Sequence, residues 1–406
     1  MPVSEPASAL EAQVLRALDT VQDPELRRPI TELGMLKDVR LDAEGGVVVD
    51  VLLTIAGCPL RETITADVER ALAAVPGVNT VGVNLDVMTP EQRNALKDRL
   101  RGGDPVRTIP FNRPDSLTRV YAVASGKGGV GKSSVTVNLA AAMASLGLRV
   151  GIVDADVHGF SVPGLLGITR PPTRVDEMIL PPVAYGIKTI SIGMFVDGNQ
   201  PVAWRGPMLH RALEQFLTDV YFGDLDVLFL DLPPGTGDIA ISVGQLLPGS
   251  EILLVTTPQS AAADVAERAG SVARQTGQKV AGVIENMSWL ALPGGERLEI
   301  FGSGGGAAVS GRLGDTLGYP VPLLGSIPLD VALREGGDGG LPVVLADAAA
   351  TVADTGAVSA ADGGVGAEGT TREDAETAAA ELRRIARELA HRPRGLAGRS
   401  LGVSPV

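Results

Sequence analysis

The sequence Gly126-Lys127-Gly128-Gly129-Val130-Gly131-Lys132-Ser133 indicates the fold class of this 406-residue chain. It fits the phosphate-loop pattern G-x-x-x-x-G-K-[ST] and follows the apolar run at residues 120–124, so the local order is strand, glycine-rich loop and helix. Glycines allow a tight turn that points N–H groups at phosphate oxygens, and the helix N-terminus adds partial positive charge. The pattern predicts a nucleotide site that extends through Ser134, with Lys132 at the β and γ phosphates and the Ser133 hydroxyl on Mg²⁺. A glycine-rich turn without a ligand is the alternative.

Lys127 is a charge that the general pattern does not require. With it, the loop reads G-K-G-G-x-G-K-S and resembles the deviant phosphate loop of the MinD, ParA and nitrogenase iron-protein superfamily. This resemblance implies a homodimer in which Lys127 crosses to the nucleotide of the partner subunit. There it would supply the charge that an arginine finger gives other nucleotide hydrolases. The alternative is a solvated surface lysine.

Composition limits the classes to which this protein can belong. The length predicts about two to three domains, and 45% hydrophobic with 3% aromatic residues predicts a core of small aliphatic side chains. The net charge of −13 opposes general nucleic-acid binding, which needs a basic face. No run of 18 apolar residues occurs and the first twelve residues lack an apolar signal core, so we expect a cytoplasmic protein that is neither membrane-spanning nor secreted.

Residues 7–98 are predicted to form a small α+β domain, which a linker at 99–117 joins to the rest of the chain. Two apolar helical patterns and a β-branched strand at 47–54 support this prediction. The motifs Asp23-Pro24-Glu25-Leu26 and Gly57-Cys58-Pro59 resemble the small domain of iron-sulfur assembly factors, which is often fused ahead of Mrp-type ATPases.

Cys58 is the single cysteine of the chain, so an intrachain disulfide is excluded and a reducing compartment is expected. It lies at a predicted loop-to-helix junction. A helix N-terminus favours the thiolate, which is the form that binds metals and acts as a nucleophile. The alternative is a small packed thiol, the usual state of an unpaired cysteine.

Residues 118–349 are predicted to form the nucleotide domain, because short apolar strands alternate with helical stretches. The predicted fold is α/β, a P-loop NTPase with a mostly parallel, doubly wound sheet and its ligand at the carboxyl ends of the strands. Residues 350–370 are nearly all small and polar, which predicts a flexible insertion. A C-terminal helix of the same domain is predicted at 371–391, and a disordered tail at 392–406.

Two predicted strands end in carboxylates where the phosphates would lie. The first ends in Asp154-Ala155-Asp156, and the second ends in Asp231 ahead of a Pro-Pro-Gly-Thr-Gly run that contains Gly235. An aspartate after a buried strand suits a Walker B residue that holds Mg²⁺ through water. By similarity to the superfamily, Asp156 orients or deprotonates the attacking water, Asp154 supports the Mg²⁺ shell, and the Gly235 N–H senses the γ-phosphate. Ordinary turn aspartates at strand ends are the alternative.

Two residues are candidates for contacting the base of the nucleotide. Asn286 follows a predicted strand, and its amide offers both a donor and an acceptor, which suits the edge of adenine. Asp330 is a second candidate near the end of the domain. Asparagine is also a common turn residue, which is the alternative.

Further motifs narrow the resemblance to the Mrp/ApbC iron-sulfur cluster carrier ATPases. They are Asp154 to Pro163, Trp204 to Met208, Asp231 to Asp238, Glu285 to Ser288 and Arg334 to Asp338. The resemblance covers most of the chain up to about Leu345. It implies an ATP-hydrolysing homodimer that binds Mg²⁺, carries a cluster such as [4Fe-4S], and works with assembly factors and apo iron-sulfur client proteins.

The sequence departs from that family at the cluster site. The family typically has a C-x-x-C pair after the Asn-Met-Ser segment, but residues 289–296 contain no cysteine. A cubane cluster normally needs four thiolates, and a homodimer of this chain has two, both Cys58. Two alternatives to a cluster carrier therefore stay open: an ATP-gated scaffold that does not hold a cluster, and a MinD/ParA-like spatial-organising ATPase.

Overall fold

The computed structural model describes residues 9–42, 44–55, 60–101, 108–113, 115–157, 159–195, 206–235, 237–259, 262–292, 295–346 and 377–392. The chain divides into two compact units. The smaller comprises Met1–Arg107, Pro172–Pro181 and Asp219–Gly223, and the larger comprises Thr108–Pro171, Pro182–Thr218 and Asp224–Val406. No helix of the described ranges is long and apolar enough to cross a membrane.

The described residues form the following helices and strands, given in chain order. The helices are α1 (Ala9–Leu18), α2 (Arg61–Ala73), α3 (Pro90–Arg101), α4 (Lys132–Ser145), α5 (Val162–Leu165), α6 (Gly206–Asp219), α7 (Asp238–Leu246), α8 (Ala262–Thr276), α9 (Gly305–Leu317), α10 (Val331–Asp338) and α11 (Ala378–His391). The strands are β1 (Leu36–Leu41), β2 (Gly46–Leu53), β3 (Thr80–Val87), β4 (Arg119–Ser125), β5 (Val150–Asp154), β6 (Thr173–Val175), β7 (Met178–Leu180), β8 (Val183–Ala184), β9 (Ile187–Ser191), β10 (Val227–Asp231), β11 (Glu251–Thr256), β12 (Lys279–Ala291), β13 (Arg297–Leu298) and β14 (Leu323–Leu329).

The smaller unit is built on a three-stranded sheet in the order β1-β2-β3. β2 is antiparallel to β1 and parallel to β3. Alternate residues of β2, such as Val47 and Val49, are buried in one hydrophobic core with Ile64 and Val68 of α2, because successive strand side chains point to opposite faces. Strands packed against helices in this way give the small α+β fold that the sequence predicts.

The smaller unit also contains a hairpin from far along the chain. β6 and β7 pair in antiparallel fashion, and Val175, Met178 and Leu180 are buried in the same core as β2 and α2. The hydroxyl of Thr173 donates a hydrogen bond of 2.7 Å to the buried carboxylate of Glu25. The sequence analysis placed these residues within the 118–349 segment, since two three-residue strands carry no periodic signal that distinguishes one core from another.

The larger unit has a sheet in the order β13-β12-β11-β4-β10-β5-β9-β8, with β14 paired to β12. The adjacent pairs β12-β11, β11-β4, β4-β10, β10-β5 and β5-β9 are parallel, and so is the pair of β12 with β14. In β4, Tyr121 and Val123 point to one face while Val120 and Ala122 point to the other, and all four are buried. Burial on both faces is typical of a sheet covered by helices on each side. The mostly parallel α/β fold predicted from the sequence is thus confirmed.

The last described helix belongs to the larger unit. Leu382, Ile385 and Leu389 of α11 are fully buried in the core that contains α4, and Arg119 donates to the carbonyl oxygen of Leu389 at 2.5 Å. The amphipathic pattern therefore folds onto its own unit. The predicted insertion at 350–370 lies outside the described residues, as does the predicted tail beyond Arg392.

We predict that Met178→Ala destabilises the smaller unit. Its side chain is 1% exposed, and removing a buried methionine typically costs about 2–5 kcal/mol. Native-state hydrogen exchange of the full chain should show this loss in the amides of β2 and α2. Arg174→Ala, at an exposed position of the same hairpin, should change the free energy of unfolding by less than about 0.5 kcal/mol. Equal exchange in both variants would contradict the placement of the hairpin.

Candidate functional site

The carboxyl ends of the parallel strands bring the predicted site residues together. Asp231, the last residue of β10, lies opposite Val123 of β4 on one side and Asp154 of β5 on the other. The glycine-rich loop begins directly after β4. The carboxyl ends of parallel strands meet at one edge of the sheet, which is where open α/β sheets bind their ligands.

The loop has the backbone that its glycines permit. Gly129 and Gly131 have φ angles of 77° and 78°, a left-handed conformation that side chains with a Cβ rarely adopt. A Cβ at Gly131 would also lie 2.3 Å from the Nδ2 atom of Asn286. Gly131 is the N-cap of α4 and no side chain caps this helix. The first N–H groups of α4 are therefore available to an anion such as a phosphate.

The fully buried carboxylate of Asp231 is the centre of the site. Its Oδ2 atom accepts hydrogen bonds from Lys132 Nζ at 2.6 Å and from Ser133 Oγ at 2.5 Å. Its Oδ1 atom accepts a bond of 2.8 Å from the hydroxyl of Thr136. Hydrogen bonds to charged groups are shorter and stronger than neutral ones. The lysine and the serine of the loop are thus held on the aspartate that the sequence assigned as Walker B.

Thr136 is a site residue that the sequence analysis did not identify. It lies one helical turn after Lys132 and is fully buried. The sequence does contain a signal for this residue, since its hydroxyl lies between two valines of an apolar helix. A buried polar side chain needs a hydrogen-bond partner, which suggests a polar group nearby.

Asp154 is the second buried carboxylate at this edge. Its Oδ1 atom accepts from the Asp156 N–H at 3.1 Å, and its Oδ2 atom accepts from the Ser191 hydroxyl at 3.0 Å. Burial, followed by the nearby negative charge of Asp231, raises the pKa of Asp154 from 3.8 to about 7. Two adjacent buried carboxylates disfavour a second negative charge. This pair therefore favours an added cation or a proton.

Asp156 and Gly235 also lie at this edge. Asp156 is buried, and its Oδ2 atom is 3.9 Å from Lys132 Nζ. The Gly235 N–H, which the sequence analysis assigned to the γ-phosphate, donates to the carbonyl oxygen of Ser125 at 2.8 Å. Gly235 has a φ angle of 94°, so a residue with a side chain would be strained here. This N–H must leave Ser125 before it can bind another acceptor.

Asn286 contacts the loop. Its Nδ2 donates to the Val130 carbonyl oxygen at 2.9 Å, while its buried Oδ1 has no hydrogen-bond partner among the described residues. The next residue, Met287, has a φ angle of 59°, and the register of β12 with β14 shifts after Asn286. β12 therefore continues past Asn286, where the sequence analysis ended the strand, through a local irregularity. The orphaned acceptor suits a ligand that brings an N–H donor.

Asp330 has a different environment from the one expected. Its Oδ1 atom accepts from the Ala332 N–H at 2.8 Å, which caps α10, and its Oδ2 atom accepts from the Ala378 N–H at 3.1 Å at the start of α11. Asp330 is therefore the N-cap of α10, whereas the N-cap of α11 is Thr377. Both oxygens of Asp330 are thus used by the backbone.

The remaining predicted residues are less defined. Lys127 Nζ donates to the side-chain oxygen of Gln259 in the same subunit. Cys58 lies outside the described residues. Within those residues, no group of three or more His, Cys, Asp or Glu side chains is arranged to hold a metal ion.

A glycine-rich loop before a helix, with its lysine and serine on a strand-end aspartate, defines a P-loop NTPase. Residues 116–372 match the family model described as the NUBPL iron-transfer P-loop NTPase, and residues 11–85 match that of the iron-sulfur cluster assembly protein. The first match spans more than half of the chain, so the protein belongs to the NUBPL iron-transfer P-loop NTPase family. The resemblance to carrier ATPases with an assembly-type N-terminal domain is confirmed.

Two relatives named iron-sulfur cluster carrier protein agree with this assignment. A protein of Mycobacterium tuberculosis H37Rv named iron-sulfur cluster carrier protein is 57% identical over 397 residues, which cover 98% of this chain and 97% of that protein. One of the same name from Bacillus subtilis is 42% identical, over 79% of this chain and 88% of that protein. A nucleotide-binding protein from Archaeoglobus fulgidus, solved with ADP, is 34% identical over 57% of this chain and 93% of that chain, with a TM-score of 0.48.

We predict that Asp154→Asn flattens the pH dependence of stability in the nucleotide-free, magnesium-free protein. The pKa of Asp154 is raised from 3.8 to about 7, so the folded state binds this proton more tightly than the unfolded state. That contribution to stability is lost as pH rises from about 4 to about 7. Chemical unfolding across this range should show a smaller loss in the variant than in wild type. Asp315→Asn, at an exposed position of α9, should keep the wild-type slope, and an Asp154→Asn slope equal to it would contradict the assignment.

Proposed function

We propose that the protein is an ATP-hydrolysing iron-sulfur cluster carrier, which binds clusters and transfers them to target apoproteins. The proposed ATPase activity is supported by one observation, the hydrogen bonds of Lys132 and Ser133 to the buried carboxylate of Asp231. The proposed binding and transfer of iron-sulfur clusters is supported by family membership and by the names of the relatives.

The residues at the strand ends fit ATP with Mg²⁺. The loop amides from Gly126 to Ser134 bind phosphate oxygens, and Lys132 moves from Asp231 to the β and γ phosphates. Ser133 and Asp231 are oxygen ligands of the kind that Mg²⁺ prefers, directly and through water. When bound, the cation neutralises the charge of the phosphates. Asp231 would then keep a compensating positive charge when Lys132 moves.

Asn286 is the residue that we assign to the base. Its unpartnered, buried Oδ1 atom is an acceptor for the exocyclic amino group of adenine, whereas guanine presents an oxygen at the same ring position. Leaving a buried acceptor without a donor costs about 1–3 kcal/mol, which favours ATP over GTP. We assign Asp330 an indirect contribution, since it caps α10 and accepts a hydrogen bond from the first amide of α11.

Hydrolysis requires an attacking water molecule, and a nucleotide-dependent switch requires a group that responds to the γ-phosphate. We assign Asp156 to orient or deprotonate the attacking water, with Asp154 supporting the Mg²⁺ shell. The Gly235 N–H exchanges the Ser125 carbonyl oxygen for the γ-phosphate. In a homodimer, Lys127 of each subunit adds its charge to the nucleotide of the partner, as an arginine finger does elsewhere.

The cluster is the substrate of this carrier, and Cys58 is its candidate ligand. Two subunits supply two thiolates, whereas a cubane cluster normally has four. The remaining ligands must come from other side chains or from an assembly factor or apo client protein. A [4Fe-4S] cluster held by fewer thiolates of the carrier leaves coordination positions for the recipient, which favours transfer.

The missing cysteines also favour a second candidate, an ATP-gated scaffold in iron-sulfur protein maturation that does not itself hold a cluster. The spatial-organising alternative lacks such support. A membrane-binding helix needs an accessible apolar face, and the apolar face of α11 is buried on α4. We therefore propose a cytoplasmic homodimer with protein partners, and neither a membrane nor general nucleic acid among them.

We predict that Lys132→Ala reduces ATP turnover by about 10²–10³-fold, the typical cost of removing one group that stabilises transition-state charge. Steady-state phosphate release measures this. Because the alanine leaves Asp231 without its cation, Lys132→Arg is the matched variant that retains a charge there. It should also lose turnover, since the larger planar head cannot take the place of the ammonium in the loop. Lys279→Ala, at an exposed position, is the control. Turnover in Lys132→Arg equal to that of the control would contradict the proposed ATPase site.

We predict that anaerobic reconstitution with iron and sulfide gives the wild-type homodimer a visible cluster absorption that Cys58→Ala lacks, because thiolates are the principal ligands of such clusters. His391→Ala, at an exposed position of α11, is the control for loss of an ordinary ligand side chain. Absorption that survives in Cys58→Ala would refute Cys58 as a ligand. A wild-type protein that acquires none would favour the scaffold instead.

A further inference from the structure

The side chain of Lys127 is held within its own subunit. β4 and β11 are parallel neighbours in which Ser125 lies opposite Val255. Lys127 is two residues beyond the end of β4, and Gln259 is three residues beyond the end of β11, so both follow their strands at the same edge of the sheet. There, Lys127 Nζ donates a hydrogen bond to the side-chain oxygen of Gln259.

The backbone on both sides of this contact is closely packed. A Cβ at Gly126 would lie 2.4 Å from a methyl carbon of Val265 on α8, so this helix packs directly against the start of the loop. A Cβ at Gly305 would lie 2.6 Å from the carbonyl oxygen of Pro258. The chain immediately before Gln259 is thus held against the start of α9. Close packing at both ends limits the positions that the two side chains can take.

The bond itself is of a kind that nucleotide can displace. Gln259 is a neutral acceptor, and among the described residues no carboxylate lies within ion-pair distance of Lys127. Hydrogen bonds between an ammonium and a charged oxygen are roughly twice as strong as those with a neutral one. The phosphate oxygens of a second subunit's nucleotide would therefore compete successfully for Lys127.

Ser125 connects this contact to the switch loop. Its hydroxyl donates to the carbonyl oxygen of Lys127 at 3.0 Å, and its own carbonyl oxygen accepts from the Gly235 N–H at 2.8 Å. The backbone of Lys127 and the proposed γ-phosphate sensor thus share one residue. A change of partner at Gly235 removes a hydrogen bond from the residue that positions Lys127.

We propose that Gln259 is a positioning residue that tethers Lys127 within its own subunit and so sets the ATP concentration at which two subunits associate. The inference rests on the proposed role of Lys127 in the partner's site. Its consequence is that association requires the exchange of a neutral acceptor in the same subunit for charged phosphate oxygens in the other. Without the tether, Lys127 would be available before ATP is bound.

The tether can be tested first in the full-length, nucleotide-free protein. Labelling with an amine-reactive reagent, followed by peptide mass spectrometry, reports how available Lys127 is, with exposed Lys279 as the internal reference. Gln259→Leu removes the acceptor at similar size and should raise the labelling rate of Lys127 about three- to tenfold, the range that one net hydrogen bond controls. Gln259→Glu strengthens the acceptor and should lower that rate. Unchanged Lys127 labelling in both variants would overturn the tether.

The consequence is tested by sedimentation with a non-hydrolysable ATP analogue and magnesium. Gln259→Leu should lower the analogue concentration for half-maximal dimer by about three- to tenfold, and Gln259→Glu should raise it. A purely structural role of Gln259 would shift both variants in the same direction and would overturn the inference. Lys127→Ala distinguishes failure of the proposed role of Lys127 from failure of the Gln259 tether. If it leaves the dimer intact, the proposed role of Lys127 fails. If it abolishes the dimer while neither Gln259 variant shifts it, only the tether fails.

Discussion

The structure depends on a buried carboxylate that must be neutralised where it lies. Asp231 is fully buried at the end of β10, and an uncompensated buried charge costs several kcal/mol. Lys132, Ser133 and Thr136 provide the compensation, and all three belong to the first turn and a half of α4. One carboxylate therefore fixes the helix, the loop before it and the strand beside it. A nucleotide that takes Lys132 away must arrive with another cation.

Contacts within the site occupy several of the groups that the proposed reaction uses. Lys132 lies on Asp231, the Gly235 N–H on Ser125, and Lys127 on Gln259. Each of these bonds holds a polar group of the site in place, and each can be exchanged for a phosphate oxygen or a magnesium ligand. The binding groups of the site thus bond to one another. Ligand binding is then an exchange of partners, and the differential strength of old and new bonds sets the energy available for a conformational change.

Sequence patterns predicted those parts of the molecule that are encoded locally. The glycine-rich loop, the apolar strands and the strand-end position of Asp231 follow from contiguous residues, and parallel strands bring such ends together. The pairing of Lys127 with Gln259 depends on the register of β4 with β11, which no local pattern contains. The bond from the Ala378 N–H to Asp330 also joins parts of the chain that lie far apart in sequence. The β6–β7 hairpin likewise joined a core that its own six strand residues could not specify.

One subunit contains most of the groups that would bind the nucleotide, whereas the cysteine ligands of a cluster would come from two subunits. Within one subunit the structure collects the phosphate loop, both strand-end aspartates and the Asn286 acceptor. The chain contains one cysteine, so the number of thiolates available to a cluster doubles only when two subunits associate. Under the proposed function, Lys127 also acts only in the associated state. A single event, the pairing of subunits over nucleotide, would therefore complete the ATPase site and bring both Cys58 residues into one assembly. Coupling of cluster binding to ATP then needs no separate signal between the two sites, because both depend on the same equilibrium.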